Sequence, residues 1–132
     1  MIKNLRDKME RKVKIKICGM TNIDNISRIL FLEPDYLGFI FHPASPRYVV
    51  GKLNPEMLSI IPPSVKRTGV FVNASEMEVR DAIQTYGLAA VQLHGNEKPR
   101  LCARVRDLGV EVIKVFHIED SHDFESVWDY TE

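Results

Sequence analysis

A chain of 132 residues can bury one sizeable hydrophobic core but not two independent ones, so a single folded domain is expected. Lys plus Arg and Asp plus Glu are balanced at 18 each, and this neutral composition gives no sign of a nucleic-acid-binding surface. No apolar run approaches the ~20 residues of a membrane-spanning helix, so no membrane partner is expected either.

The N-terminus and the two cysteines indicate the cellular compartment. The first residues, "MIKNLRDKMERK", lack the apolar segment of a secretory signal peptide. Cys18 and Cys102 lie far apart, without CxxC spacing and without histidines at metal-ligand spacing, which argues against a disulfide scaffold and against a zinc site. The sequence therefore predicts a cytoplasmic protein.

The first predicted element is a charged N-terminal segment at residues 1–12. In this segment Ile2, Leu5 and Met9 fall near one helical face, which predicts a short amphipathic helix. A frayed, solvated tail is an equal alternative, because terminal residues are often disordered. We predict two regions, this segment and a folded domain over 13–132.

Five runs rich in β-branched residues alternate with helical patterns along the domain. The runs are "KVKIKIC", "DYLGFIF", "KRTGVFV", "AAVQLH" and "EVIKVFH", and helices are predicted over 22–33, 55–61, 75–87, 99–109 and after Asp120. The predicted strands start near residues 13, 35, 66, 89 and 111. This spacing is typical of repeated βα units, and it predicts a parallel sheet with right-handed crossovers.

The third and fourth predicted helices have clear end signals. Ser75 and Glu78 have the spacing of a capping box at the start of the third. Pro99 is a favourable first-turn residue for the fourth. Gly87 and Gly109 are placed as the C-terminal stops of the two helices.

Two α/β architectures fit this rhythm, a doubly wound open sheet and part of a (β/α)8 barrel. Length favours the open sheet, because a complete barrel needs at least ~200 residues. The strand pattern favours the barrel, since doubly wound strands are apolar on both faces. Here Ile15 and Ile17 alternate with Lys16 and Cys18, and in the fifth strand Lys114 is predicted to continue the polar face. One face of the sheet is therefore predicted to be partly polar, as where a barrel interior approaches an active site.

Three chemically capable residues fall where predicted strands end, which is where parallel α/β folds place their active sites. Cys18 is a candidate base, since Gly19 permits a close ligand approach and Lys16 on the same side favours a thiolate. Arg47 offers a fork suited to phosphate or carboxylate, and His94 ends the fourth strand. The alternatives are a small core cysteine, a solvated arginine and a hydrogen-bonded strand-end histidine.

Five motifs occur together at successive strand ends: "KICGMT", "LGFIFHPASPRYV", "GVFVN", "AVQLHG" and "VIKVF". In this order and spacing, over about Val13 to Glu132, they resemble the phosphoribosylanthranilate isomerase family of tryptophan biosynthesis. The resemblance implies a (β/α)8 barrel enzyme that needs no metal or cofactor. It converts the small phosphosugar N-(5-phosphoribosyl)anthranilate to 1-(2-carboxyphenylamino)-1-deoxyribulose 5-phosphate in an Amadori rearrangement.

The resemblance also implies roles for four residues. The family's cysteine, which removes the sugar C2 proton as a general base, maps onto Cys18. The arginine near the anthranilate carboxylate maps onto Arg47, and the strand-four histidine maps onto His94. Gln92 matches the same motif as His94 and is expected to bind substrate as well.

The family's general acid, an aspartate at the end of strand six, has no counterpart in this chain, nor has its phosphate site in the last two βα loops. The resemblance therefore implies a truncated barrel of about five βα units that is inactive alone. We expect its open edges to be covered by a second copy or by a complementing C-terminal fragment. The alternative functions are a catalytically incompetent assembly or binding module, and another phosphosugar barrel enzyme such as indole-glycerol-phosphate synthase.

Overall fold

The structure, a computed structural model, describes residues 13–131 and contains one five-stranded parallel sheet. The segment predicted at 1–12 lies outside the described residues. In chain order the elements are β1 (Lys16–Ile17), α1 (Ile23–Leu30), β2 (Tyr36–Ile40), a first 3-10 helix (Pro55–Ile60), β3 (Lys66–Phe71), α2 (Glu76–Tyr86), β4 (Ala90–Leu93), α3 (Pro99–Arg106), β5 (Glu111–Lys114) and a second 3-10 helix (Ser121–Tyr130). All five predicted strands are confirmed, each somewhat shorter than its sequence run.

The strand order of the sheet bears on the two architectures that the sequence left open. Each strand pairs in parallel with the next strand along the chain, in the order β1-β2-β3-β4-β5. A doubly wound sheet reverses its strand order at a switch point, and the described strands show no such reversal. The sequential order is the one found in the wall of a (β/α) barrel.

The hydrophobic core lies on one face of the sheet, under the helices. Its fully buried side chains come from strands and helices alike, namely Leu37, Phe39, Phe71, Val91 and Leu93 from the strands and Ile26, Val79 and Val105 from the helices. Residues paired in a parallel register share a face, so Lys16 lies with Tyr36, and Gln92 lies with Ile113, on the face opposite the core. The predicted partly polar face is thus confirmed.

Lys114 does not belong to this polar face, and the prediction that placed it there was wrong. It pairs with Leu93, which is fully buried in the core, whereas Gln92 pairs with Ile113. The alternation in β5 predicts the wrong face because, in this strand, the residue on the polar face is the apolar Ile113. A lysine is tolerated on the core face because its charge is paired with Glu97.

A polar cluster ties three strands together at their amino ends, on the same polar face. The Tyr36 hydroxyl donates to Oε1 of Glu111 at 2.8 Å, and the Lys66 ammonium forms an ion pair with the other oxygen of that carboxylate. The hydrogen bond with Lys66 lowers the pKa of Glu111 below its ordinary value. The cluster links β2, β3 and β5 at the end of the sheet remote from the strand termini that carry Cys18 and His94.

The predicted signals at the ends of α2 are confirmed. The Glu78 N–H donates to Oγ of Ser75 at 3.2 Å, and the Ser75 N–H donates to Oε2 of Glu78 at 2.7 Å. Hydrogen bonding of the Glu78 carboxylate to the Ser75 backbone N–H, and then to the Ser75 side chain, lowers the pKa of the Glu78 carboxyl. Gly87 ends the helix in the left-handed conformation, at φ +61°, which glycine adopts without strain.

Two predicted helices have the tighter 3-10 geometry instead. The segment at Pro55–Ile60 is short and is followed by Pro62 and Pro63, which lack the N–H that a continuing helix needs. The segment after Asp120 begins as predicted, with the His122 N–H bound to the Asp120 side chain. Within residues 13–131, no helix has both the length and the apolar character needed to cross a bilayer.

Candidate active site

Cys18 follows β1 directly, and its thiol lies over Gly38 of the neighbouring strand. A Cβ placed on Gly38 would come within 2.8 Å of Sγ and 3.0 Å of Cα of Cys18, so the missing side chain at position 38 makes room for the cysteine. The N–H groups of Gly19 and Met20 both donate to the Gly38 carbonyl, at 2.9 and 3.0 Å. Cys18 is half-buried, at the carboxyl end of the strand and on the polar face.

Arg47 reaches back from the loop after β2 to the turn that follows Cys18. A Cβ on Gly19 would lie 2.5 Å from Nη1 and 2.9 Å from Cδ of Arg47, so the arginine lies directly against this glycine. Gly19 also has φ +82°, which a residue with a side chain rarely adopts. A single glycine therefore permits both the turn after the cysteine and the approach of the guanidinium.

His94 and Gln92 form a second polar group at the end of β4. Nε2 of Gln92 lies 3.4 Å from Nδ1 of His94, and the His94 N–H donates to the Phe71 carbonyl at 2.9 Å. The ring of His117, which follows β5, lies 5.7 Å from the His94 ring between centroids. Sequence reasoning did not select His117, because only the parallel pairing of β4 and β5 brings it beside His94.

The structure thus places all four predicted site residues at the carboxyl end of the sheet, in two groups. Cys18 and Arg47 form one group at β1 and β2. Gln92 and His94 form the other at β4, and β3 separates the two groups. A thiol, a guanidinium and imidazole rings along the carboxyl end of the sheet can bind an anionic small molecule and exchange protons with it. Among residues 13–131, no three His, Cys, Asp or Glu side chains converge as a metal-binding group.

Sequence reasoning also missed a buried ion pair near the carboxyl ends of β4 and β5. The side chains of Glu97 and Lys114 are 1% and 9% exposed, and Nζ lies 3.2 Å from Oε2. Glu97 accepts hydrogen bonds from the N–H groups of Asn73 and Gly95. The only sequence signal was a glutamate directly after "HGN", which does not reveal burial. Removing one partner of such a pair leaves an uncompensated buried charge, at a cost of about 3–5 kcal/mol.

The environment of Glu97 makes the stability of the fold depend on pH. Burial raises the pKa of the Glu97 carboxyl, but hydrogen bonds from backbone N–H groups, including that of Asn73, and from Lys114 lower it more, and the net pKa lies below the ordinary value. A carboxyl with a lowered folded-state pKa stabilises the fold fully above the unfolded-state pKa of about 4.3, and this contribution is lost as the pH falls through the folded-state pKa.

We therefore expect that Glu97→Gln lowers the free energy of unfolding at pH 7 but flattens its decline between pH 5 and pH 3. Urea unfolding followed by circular dichroism at pH 7, 5, 4 and 3 measures this. The unchanged chain supplies the reference slope, to which Glu78 and Glu111 also contribute. An equally steep acid decline in Glu97→Gln would show that Glu97 has an ordinary pKa in the fold.

Comparison with known proteins identifies the family. The family described as N-(5'phosphoribosyl)anthranilate (PRA) isomerase matches residues 15–131. The N-(5'-phosphoribosyl)anthranilate isomerase of Phocaeicola vulgatus is 42% identical over 116 residues, which are 88% of this chain and 54% of that protein. The chain spans about half the length of the curated relatives it matches.

Solved structures give the same result. A phosphoribosyl anthranilate isomerase in complex with reduced 1-(o-carboxyphenylamino)-1-deoxyribulose 5-phosphate superimposes with a TM-score of 0.79 at 35% identity, covering 89% of this chain and 60% of that one. A monomer generated from the dimeric enzyme of Thermotoga maritima superimposes with a TM-score of 0.77 at 36% identity, covering 89% and 59%. The chain therefore belongs to the N-(5'-phosphoribosyl)anthranilate isomerase family.

Proposed function

We propose that this chain carries the base-bearing part of a phosphoribosylanthranilate isomerase site in tryptophan biosynthesis, in the cytoplasm. The observation that supports this best is the group formed by Cys18, Gly19 and Arg47 at the end of β1. It places a thiol on the polar face beside a guanidinium that suits the anthranilate carboxylate. The alternative of a different phosphosugar barrel enzyme receives no support from the family match at residues 15–131.

The proposed chemistry is general acid–base catalysis on the ring-opened Schiff base of the substrate. The Cys18 thiolate takes the proton from sugar C2, and the electron pair of that C–H bond becomes the C1–C2 double bond of an enolamine. The electrons of the C–N double bond move to the anthranilate nitrogen, which carries a proton in the ring-opened Schiff base, so that its positive charge is neutralised and the enolamine is uncharged there. Arg47 holds the carboxylate, and Gln92 and His94 hold polar groups of the sugar phosphate. Ring opening before this step needs an acid that protonates the ring oxygen, and none of these four residues is assigned that role.

We infer that the domain at 13–132 forms the first five βα units of a (β/α)8 barrel. The sequential parallel strand order and the overlap with 60% of a relative's structure support this. The general acid and the phosphate site then belong to the three βα units that follow in the relatives. Those units, or a second copy of this chain, would cover the outer edges of β1 and β5, each of which is paired on one side only among the described strands.

The experiment that tests the proposed function is a fluorescence assay of phosphoribosylanthranilate consumption. The purified chain is assayed alone and with a separately expressed segment carrying the last three βα units of the Phocaeicola vulgatus relative. We expect turnover only in the mixture, because that segment supplies the acid. Turnover by the chain alone would assign the acid to this chain. No turnover in either sample would contradict the isomerase proposal and favour an assembly or binding module, and size-exclusion chromatography of the same samples would show its oligomeric state.

The contact between Arg47 and Gly19 leads to a matched pair of substitutions. Gly19 and Gly51 have nearly the same backbone conformation, with φ +82° and +84°, but a Cβ on Gly51 meets nothing within 4 Å. Alanine at either position strains the backbone by about 1 kcal/mol, whereas only Gly19→Ala displaces the guanidinium. We expect Gly19→Ala to weaken binding of the reduced product analogue about tenfold in the active mixture, the loss of one charge-assisted hydrogen bond.

Isothermal titration calorimetry of the two variants measures this difference. Gly51→Ala is the control for backbone strain and is expected to bind like the unchanged chain. Equal affinities for Gly19→Ala and Gly51→Ala would remove Arg47 from the binding site.

A further inference from the structure

Glu97 and Lys114 bind the backbone of the residues that flank His94. The carboxylate accepts the N–H of Gly95 on both oxygens, at 3.1 Å to Oε1 and 2.9 Å to Oε2. The ammonium donates to the Gly95 carbonyl at 2.7 Å and lies 3.4 Å from the Leu93 carbonyl. The residues immediately before and after His94 are therefore both bound to one buried ion pair.

The same pair joins the loop of His94 to the two neighbouring loops. Oε1 of Glu97 also accepts the N–H of Asn73, in the loop after β3, at 3.0 Å. Lys114 donates to the Val115 carbonyl at 2.9 Å, at the end of β5. The approach is close, because a Cβ on Gly95 would lie 2.5 Å from Oδ1 of Asn73. Three consecutive strand ends are thus fixed to each other through two charged groups.

Burial and hydrogen bonding set this pair apart from an ordinary surface salt bridge. Taking two charges out of water is unfavourable, and replacing such a pair by packed apolar side chains is often neutral or stabilising. An apolar pair could not bind the N–H groups of Asn73 and Gly95 or the Gly95 carbonyl, however. The two charged side chains therefore supply hydrogen bonds to the loop backbone at the carboxyl end of the sheet.

We propose that Glu97 and Lys114 are positioning residues that hold the backbone of His94 at the candidate site and keep its ring beside His117. This deepens the function proposed above and rests on it for its catalytic meaning, but the geometry it asserts is measurable without substrate. Glu97 and Lys114 act through Leu93 and Gly95 and do not contact the reacting atoms.

The chain offers a matched control in its second Lys–Glu pair. Glu111 and Lys66 also join β5 to another strand, but they lie at the amino ends and are 37% and 43% exposed. Glu111→Gln therefore removes an ion pair from the same sheet without touching the loops around His94. Glu97→Gln and Lys114→Met remove the proposed positioning contacts with little change in side-chain volume.

The test is nuclear magnetic resonance of the full 132-residue chain. In the unchanged chain and in Glu111→Gln, we expect a nuclear Overhauser contact between the ring protons of His94 and His117, and slow exchange of the Gly95 amide proton. In Glu97→Gln and Lys114→Met, we expect that contact to disappear and the Gly95 amide to exchange about tenfold faster, as for loss of a charge-assisted hydrogen bond. If the Glu97–Lys114 ion pair only stabilised the fold, its removal would not selectively abolish the contact between the rings of His94 and His117.

Two results would overturn the proposal. One is a ring contact between His94 and His117 that persists in folded Glu97→Gln and Lys114→Met. The other needs no variant and applies if both fail to fold: free exchange of the Gly95 and Asn73 amide protons in the unchanged chain would show that Glu97 does not hold them. Because no readout involves turnover, the two proposals fail separately: a lack of turnover even in the mixture with the complementing segment would contradict the isomerase proposal, whereas the expected spectra would still support the positioning role.

Discussion

The largest effect that we expect is from Cys18→Ala, which should severely reduce isomerisation in whichever assembly of this chain turns over phosphoribosylanthranilate. General acid–base catalysis by one positioned group typically contributes 10²–10⁴-fold, so turnover should fall by about this factor. The loss should appear in kcat, because the substitution leaves Arg47 and His94, the proposed substrate-binding residues, in place. The fluorescence assay used for the unchanged chain measures it directly.

Cys102→Ala is the control for removing a thiol. Cys102 is half-buried on α3, and burial raises the pKa of its thiol, which keeps it protonated and unreactive. We expect Cys102→Ala to retain the turnover of the unchanged chain. Equal turnover in Cys18→Ala and the unchanged chain would contradict the role of Cys18 as the base.

A second large effect is expected at Gly38, the residue beneath the Cys18 thiol. In Gly38→Ala the new Cβ would meet both Sγ and the backbone Cα of Cys18, so the clash cannot be relieved by a side-chain rotation alone. Overpacking of this kind costs about 1–3 kcal/mol in stability. A displacement of about 1 Å at a reacting group can lower the rate about 10²-fold, and we expect a loss of that size in kcat.

Gly69→Ala separates the catalytic effect from the loss of stability. A Cβ on Gly69 would meet Leu88 and Phe71 side chains at 2.6 and 2.7 Å, away from Cys18 and on the core face. We expect both variants to be destabilised in urea unfolding, whereas only Gly38→Ala loses turnover at a temperature where both are folded. If the two variants lose turnover to the same extent, the close contact between Gly38 and Cys18 has no catalytic importance.

The sequence was informative wherever the determinant was local. The β-branched runs predicted every strand found within residues 13–131, and the capping box and Gly87 predicted α2 to within a residue. The placement of Cys18, Arg47 and His94 at strand ends needed only the βα rhythm, because parallel strands end at a common edge. Alternation and length favoured different architectures, and the sequential strand order of the described sheet matches a barrel wall rather than the reversed order of a doubly wound sheet.

The features that were missed depend on contacts between residues distant in the chain. Lys114 was assigned to the wrong face because its partner Glu97 is 17 residues away, and no pattern shows that the two charges are buried together. His117 became a neighbour of His94 only through the register of β4 with β5. The two 3-10 helices resemble α-helices in their periodicity, and the difference lies in hydrogen bonds that periodicity does not report.

The sequential pairing of the five strands also affects how this chain folds. Each described strand after β1 pairs with the strand before it, across a connection of 17 to 25 residues. The sequence separation between paired strands is therefore modest. The entropy of closing each loop grows only slowly with its length, and each closure gains a parallel ladder and an adjoining helix at once. Unit by unit, the sheet can therefore grow in the direction of synthesis, with β1 and β2 paired before β4 has left the ribosome.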